Sequence, residues 1–355
     1  MKIGILTIND NNNYGNRLQN YAVQTNILKT IKRDCVAPKN ISCSVNRKYY
    51  LLKRIKYFIY NKEIYNNNKN RAKNFMRFNE NINYSKKFIL SINGIKKYDC
   101  VIAGSDQIWN PYLERLKDVD LLTFIELNKR IAFSASLGID TLSTTFNNNY
   151  LKKAFNVFKT ISVRETNGKN IIESLTGRND VEVLVDPTLM LTNDEWDKVS
   201  KKPKMLRSKK YILNYFLGDL SEEREKEIQR VANENNCEIV ELLDESSFFY
   251  EYGPCEFLYL EKNAFLICSD LFHLSIFAII YNRPFFIFDR EQKNLAKMNS
   301  RIDTLILKLK LKNKKYNGKK IAKENMSHDY SGAYKLLDIE KKKAINFLKN
   351  AILGN

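Results

Sequence analysis

Short apolar runs alternate with amphipathic stretches along most of the chain. The run 2–8 (KIGILTI) is brief, apolar and rich in Ile, which predicts a buried strand. Asn9 to Gly15 carries turn chemistry. From Asn16 the spacing of Leu18, Tyr21, Ala22, Thr25 and Leu28 predicts a helix with one apolar face. A strand that feeds a helix through a Gly-containing loop is the first unit of a parallel α/β sheet. Further strands are predicted at Tyr98–Ala103, Arg130–Ser136, Thr160–Val163 and Val181–Val185, with a helix over 150–159. Near 187–210 the composition turns polar and basic and includes Pro203, as a domain junction does. The alternation then restarts. Tyr211–Leu217 reads as a strand, and Ser221–Asn235 as a helix with Ser221 at its N-cap. Strands Glu238–Leu242 and Phe265–Cys268, a helix near Phe272–Tyr281, strand Pro284–Phe288 and an amphipathic helix over 331–352 follow.

This order predicts an α/β fold of two Rossmann-like domains facing a central cleft, with the C-terminal helix packing back. The first domain spans 1–190 and carries a basic helical insertion at about 45–90; the second spans 191–330; the terminal helix takes 331–355. Ligands of such sheets bind beyond the C-terminal ends of the strands.

Composition narrows the function classes. Apolar residues are 44% of the 355, so a disordered chain is excluded. Lys and Arg number 59 against 40 Asp and Glu, a net charge of +19, which favours anionic partners without choosing among them. Between Arg47 and Arg77 stand ten Lys/Arg and one acid, Glu63, interleaved with tyrosines. The helical spacing of Leu51, Leu52, Ile55, Phe58 and Ile59 there predicts a basic amphipathic helix. It reads as a solvated face over a packed stripe, as a dock for anionic lipid, or as a single-stranded nucleic-acid surface. The six cysteines form no CxxC pair, which fits reduced thiols, and two histidines argue against a Cys/His zinc site. No apolar run reaches a membrane-spanning length or the form of a signal peptide, so a cytoplasmic protein is expected.

Four strand ends carry chemistry. At Asn13-Tyr14-Gly15-Asn16-Arg17, backbone N–H groups at a helix start lie beside an arginine, which suits a phosphate or carboxylate. An ordinary βα turn has the same spacing. At Gly104-Ser105-Asp106-Gln107, Asp106 is a general base, a hydroxyl ligand or a helix N-cap; the string is neither a Walker A loop nor a nucleophile elbow. Arg164, in Ser162-Val163-Arg164-Glu165, either grips a carboxylate or forms a structural ion pair. His273, in Ser269-Asp270-Leu271-Phe272-His273, is either a proton donor or a hydrogen-bonded core residue. His328 reads as solvated surface, and Asp118-Val119-Asp120 as a chance match to a D-x-D metal site.

Taken together these strings resemble the polysaccharide pyruvyl transferase family. The matching residues are Asn13 to Ala22 (NYGNRLQNYA), Gly104 to Asn110 (GSDQIWN), Ser134 to Gly138, Ile161 to Glu165, Val185 to Leu189, Gly253-Pro254 with Glu256-Phe257, and Ser269 to His273, in family order over roughly 1–290. The resemblance implies a GT-B-like fold. It also implies transfer of pyruvate from phosphoenolpyruvate to a sugar of a cell-surface polysaccharide or its lipid-linked precursor, as a ketal. It assigns His273 and Asp106 to catalysis and Arg164 to donor binding; Gly15, Asn16, Arg17, Ser105, Gln107 and Phe272, at the same strand ends, are expected to bind substrate. Phosphoenolpyruvate is the donor substrate, and no metal or cofactor is expected. The acceptor is a glycan or lipid-linked saccharide. Peripheral contact with the anionic inner membrane face is expected, and no nucleic acid. The sequence departs from the family where Leu271-Phe272-His273-Leu274 replaces the commoner Ser-Phe-His-Gly or Arg-Leu-His-Gly. Members with Arg two places before the His use it on the donor, so here a second cation is expected from elsewhere, with Arg17 the candidate. The alternatives are a nucleotide-sugar glycosyltransferase on the same fold and a non-catalytic basic protein binding membrane or nucleic acid.

Overall fold

In the computed structural model, the described residues are 1–10, 12–39, 61–88, 98–113, 115–143, 146–206, 210–291, 300–326 and 329–354. Seven strands build the first sheet: β1 (Ile3–Leu6), β2 (Cys35–Lys39), β3 (Tyr84–Phe88), β4 (Cys100–Ala103), β5 (Arg130–Ala135), β6 (Thr160–Val163) and β7 (Glu182–Val183). All pair in parallel, in the order β3-β2-β1-β4-β5-β6-β7. A second parallel sheet runs β11-β10-β8-β9, from β8 (Tyr211–Tyr215), β9 (Glu238–Glu241), β10 (Leu266–Ser269) and β11 (Phe285–Ile287). The helices that position the site are α1 (Tyr14–Ile31), α2 (Lys62–Phe78), α3 (Asn148–Asn156), α4 (Thr166–Thr176), α5 (Glu222–Glu234), α6 (Pro254–Asn263), α7 (Phe272–Ile280), α8 (Ser300–Leu309) and α9 (Ser331–Leu353). The α/β fold with two Rossmann-like sheets is therefore as expected. No helix among the described residues is long and apolar enough to cross a membrane.

Chain order reverses between β1 and β4 in the first sheet and between β8 and β10 in the second. At such switch points the connections leave on opposite faces and open a crevice at the strand C-termini. The two crevices face each other.

Several elements differ from the expectation. Strands β2 and β3 carry no clean apolar run and were not legible; β2 includes Pro38, and Asn83 donates its side-chain N–H to the Cys35 carbonyl at 3.0 Å. Helix α1 starts at Tyr14 rather than Asn16, because the Asn13 side chain caps the Asn16 N–H at 3.1 Å. It is buried on most of its circumference, and Leu28, expected on the apolar face, is exposed. Among its buried amides, Gln19 donates to Thr7 Oγ1 at 2.7 Å while its Oε1 meets no partner, and Asn26 donates to the Pro187 carbonyl at 3.0 Å. Ser221 is the N-cap of α5, but its side chain makes no capping hydrogen bond.

The basic amphipathic helix expected from the spacing of Leu51 to Ile59 lies outside the described residues. The described part, α2, is a strut between the two halves. Arg71 is buried between Tyr14, Phe75 and Tyr250, with its guanidinium carbon 4.6, 4.9 and 4.6 Å from the three ring centres. It donates to the Tyr14 hydroxyl at 2.7 Å, the Tyr250 carbonyl at 2.9 Å and the Asn12 carbonyl at 3.2 Å. Asn67 and Asn74 donate to the Glu245, Ser247 and Glu251 carbonyls at 2.8–3.1 Å. A basic composition thus hides one cation that ties the halves together. The chain closes across both units: Thr304 on α8 accepts the Thr166 N–H of α4 at 3.2 Å, and Phe347 on α9 stacks on Phe133 of β5 at 6.1 Å. His328 and Cys43 lie outside the described residues.

One core residue sets a stability prediction. Glu261 on α6 is fully buried, and neither carboxyl oxygen meets a hydrogen-bond partner. Burial holds its pKa well above the ordinary Glu range, so the folded protein keeps it protonated. The unfolded chain releases that proton near its ordinary pKa. Stability is therefore fullest below the ordinary Glu range and falls as pH rises toward the folded value, at about 1.4 kcal/mol per pH unit. Glu261→Gln is expected to remove this slope. Urea midpoints of the variant and wild type should coincide near pH 4 and diverge in favour of the variant toward pH 8; parallel curves would show that Glu261 is not the group responsible.

Candidate active site

The strand C-termini of both sheets line one cleft of about 290 Å³. From the first sheet come Ile8, Asp10, Asn13, Gly15 and Asn16 after β1, and Asp106 and Gln107 after β4. From the second come Tyr215 and Leu217 after β8, and Leu271, Phe272, His273 and Leu274 after β10.

His273 lies in the first turn of α7, buried against the start of α1. A Cβ placed on Gly15 would fall 2.2 Å from its Nδ1, so only glycine lets the imidazole close onto α1. Its Nε2 faces Asp186 Oδ2 at 3.9 Å and has no hydrogen-bond partner. Burial is the largest influence on the ring and lowers its pKa. Asp186 and Asp106 pull it up, Arg164 and Arg301 push it down, and the net is a value below the ordinary histidine range.

Beneath the imidazole lies a buried charge network. Arg164, at the end of β6, donates to Asp106 Oδ1 at 3.0 Å and to Asp186 Oδ2 at 2.7 Å. Asp186 also accepts from the Thr188 N–H at 3.0 Å, the Thr188 hydroxyl at 2.7 Å and the Ser105 hydroxyl at 3.3 Å. Asp106 sits at φ 76°, a left-handed conformation that Asp tolerates better than most residues. It further accepts from the Gln107 N–H at 2.7 Å and from the Asn16 side chain. Burial alone would raise both carboxyls. For each, the Arg164 guanidinium, followed by His273, reverses the sign and holds the pKa below the ordinary Asp value. A carboxylate so stabilised is a weak base. Asp106 is built to hold Asn16 and Arg164 in place and to present negative charge to the cleft.

The expected site residues separate into three groups. Gly15, Asn16, Asp106, Gln107, Phe272 and His273 meet at the cleft. Ser105 and Arg164 lie directly below it: Ser105 is fully buried with its hydroxyl on the Ser134 carbonyl at 3.0 Å, and the Arg164 side chain has no exposed surface. Phe272 covers Arg164, its ring centre 4.9 Å from the guanidinium. Arg17 is turned away. Its guanidinium donates to the Ile8 carbonyl at 3.2 Å, to Asn79 Oδ1 at 3.1 Å and to the Tyr84 hydroxyl, so it braces β3 instead of the cleft. The reason is helical phase: residues 15 and 16 face the switch point, and 17 falls 100° further round. Asp118 and Asp120 are likewise engaged elsewhere, Asp118 with Thr123 and Tyr150 and Asp120 with Arg115. Arg290 and Arg301 line the cleft and were missed; Arg301 follows no strand-end motif that would have flagged it.

Polysaccharide pyruvyl transferase is the description of the family model that matches residues 13–292. The chain belongs to that family. It is therefore a transferase, and the family strings at 13–22, 104–110 and 269–273 place side chains at this cleft. No curated protein sequence matches it significantly. Among solved structures, the UDP-GlcNAc 2-epimerase of Neisseria meningitidis bound to UDP-GlcNAc is similar at 10% identity and a TM-score of 0.49, with all of both chains covered. The UDP-GlcNAc 2-epimerase of Methanocaldococcus jannaschii in complex with UDP-GlcNAc and UDP is similar at 15% identity and a TM-score of 0.45, covering 96% of this chain and 99% of that one. In this transferase Arg301 lies beyond the family-matched residues.

Proposed function

We propose that this enzyme moves pyruvate from phosphoenolpyruvate onto two hydroxyls of a saccharide, lipid-linked or nascent, to form a ketal. The observation that supports it best is the placement of His273 in one cleft with the uncapped start of α7 and the Arg164–Asp106–Asp186 network. The Leu271 N-cap gives α7 no side-chain cap, so its first N–H groups and the positive end of its dipole are available to a phosphate.

The chemistry follows from those groups. The protonated His273 gives its proton to the donor's methylene carbon, which becomes the methyl group. The neighbouring carbon then carries oxocarbenium character, and the negative charge of Asp106 stabilises it. One sugar hydroxyl adds there, the bond from carbon to the phosphate oxygen breaks, and the second hydroxyl closes the ring. Two hydroxyl protons leave: one goes to the released phosphate and one restores the imidazolium. In the empty cleft burial keeps His273 mostly neutral at pH 7; a bound dianion raises its pKa and charges it for this step.

Lys62, Lys69, Lys73 and Arg77 on α2 stay exposed, which supports peripheral contact with an anionic membrane carrying such an acceptor. The decisive assay is phosphate release from phosphoenolpyruvate against a panel of lipid-linked sugars. Acceptor-dependent release with a pyruvyl ketal in the product is expected. Sugar transfer from a UDP- or GDP-sugar, with no response to phosphoenolpyruvate, would replace this reading with the glycosyltransferase one.

A further inference from the structure

Three arginines line the cleft among the described residues, and two are already neutralised. Arg290 donates to Asp270 Oδ2 at 2.9 Å, and Arg115 to Asp120 Oδ1 at 3.3 Å. Arg301, on the first turn of α8, has no ion pair among the described residues, and its buried Nε has no hydrogen-bond partner. Its guanidinium carbon lies 5.8 Å from the Phe272 ring centre, on the ring that also covers Arg164. Two guanidinium groups thus flank one aromatic ring at the start of α7. Arg164 is satisfied by two carboxylates and Arg301 by none.

A half-buried cation with no ion pair among the described residues, its Nε buried and a second cation beside it, is poised to take an anion. Burial first, then repulsion from Arg164, pulls Arg301 down to a pKa of about 10. It therefore stays charged at neutral pH; the Glu165 and Asp106 carboxylates favour that charge from a distance, but neither forms an ion pair with it.

We infer that Arg301 and the N-terminus of α7 together form the subsite for the phosphoryl group of the donor. The inference rests on the enol-phosphate reading above and assigns the second donor cation, for which Leu271 supplies no charge, to a residue far along the chain. A phosphoryl dianion fits better than a carboxylate, because it offers oxygens to both the guanidinium and the helix N–H groups and compensates more charge. Arg301 is a binding residue here. The remaining carboxylate of the donor falls to other parts of the cleft.

The test separates the two anionic ends of the donor by using orthophosphate and pyruvate as separate ligands of the intact enzyme. Arg301→Gln is expected to weaken orthophosphate binding by about 10–100-fold, the range for one charge-assisted contact, and to leave pyruvate binding within a few-fold. The KM for phosphoenolpyruvate should rise over the same range, with kcat less affected, and Arg301→Lys should recover part of the loss. The variant should be at least as resistant to urea as wild type, since removing Arg301 breaks no ion pair and relieves its repulsion with Arg164; a merely structural arginine would give the opposite. Unchanged orthophosphate affinity, no orthophosphate binding by the wild type, or loss of pyruvate binding instead would overturn the inference. If orthophosphate binding collapses in the variant but the wild type never turns over phosphoenolpyruvate, the phosphoryl subsite stands and the donor assignment falls.

Discussion

His273→Asn is expected to slow pyruvyl transfer by about 10²–10⁴-fold, the usual worth of a positioned acid. Asn fits the space without meeting Gly15, so the cleft should keep its shape and the donor should still bind. The loss should therefore fall on kcat. The pH profiles carry the sharper signature. Burial sets the imidazole of the empty cleft below the ordinary histidine range. An acid works only while protonated, so kcat/KM, which reports the free enzyme, should decline with rising pH from a value below that range. In the complex the donor's phosphoryl charge raises the same pKa, and the decline of kcat should sit at higher pH. The variant should lack the histidine limb in both profiles. Steady-state rates from pH 5 to 9 check this; a variant with wild-type kcat, or one that keeps both limbs, would remove His273 from the chemistry.

Arg164→Met should cost about 3–5 kcal/mol of stability at neutral pH, the range for breaking a buried pair by deleting one partner. Arg164 serves two carboxylates at 3.0 and 2.7 Å, both buried, and the methionine would leave Asp106 and Asp186 unpaired. The sign with pH distinguishes this from lost packing. In the wild type both carboxyls titrate below the ordinary Asp range, so their stabilisation is complete above it and disappears as pH falls through the lowered values. Without the guanidinium their pKa values rise, and the folded variant gains protons that the unfolded chain does not hold at the same pH. The deficit against wild type should therefore shrink between pH 7 and pH 5. Adding Asp186→Asn should restore part of the lost stability. Urea titration of the single and double variants measures both effects, and a deficit that is flat with pH and not relieved by the second substitution would reduce Arg164 to a packing residue.

The two sheets were legible where a strand is an uninterrupted apolar run, as at Ile3–Leu6 and Cys100–Ala103, because a strand covered on both faces needs apolar residues throughout. Strands β2 and β3 escaped because their stretches, CVAPK and YSKKF, mix polar residues and a proline and lack that run. In the site, His273, Asp106 and Gly15 were legible because each follows a strand end in a recognisable string. Arg17 sits in the same string and was misplaced, because a motif fixes neighbours along the chain and not the phase of a helix around its axis.

From the order of its residues alone this chain could be assigned two parallel α/β units, its family and the strand ends that matter, since these depend on periodicity and on short contiguous strings. Which guanidinium is buried under the site, which braces the scaffold and which stands unpaired in the cleft was decided only by the folded structure. Arg17, Arg164 and Arg301 are chemically identical, and their roles follow from the carboxylates, carbonyls and rings that the fold brings within a few ångströms of each, most of them from segments far away in the chain.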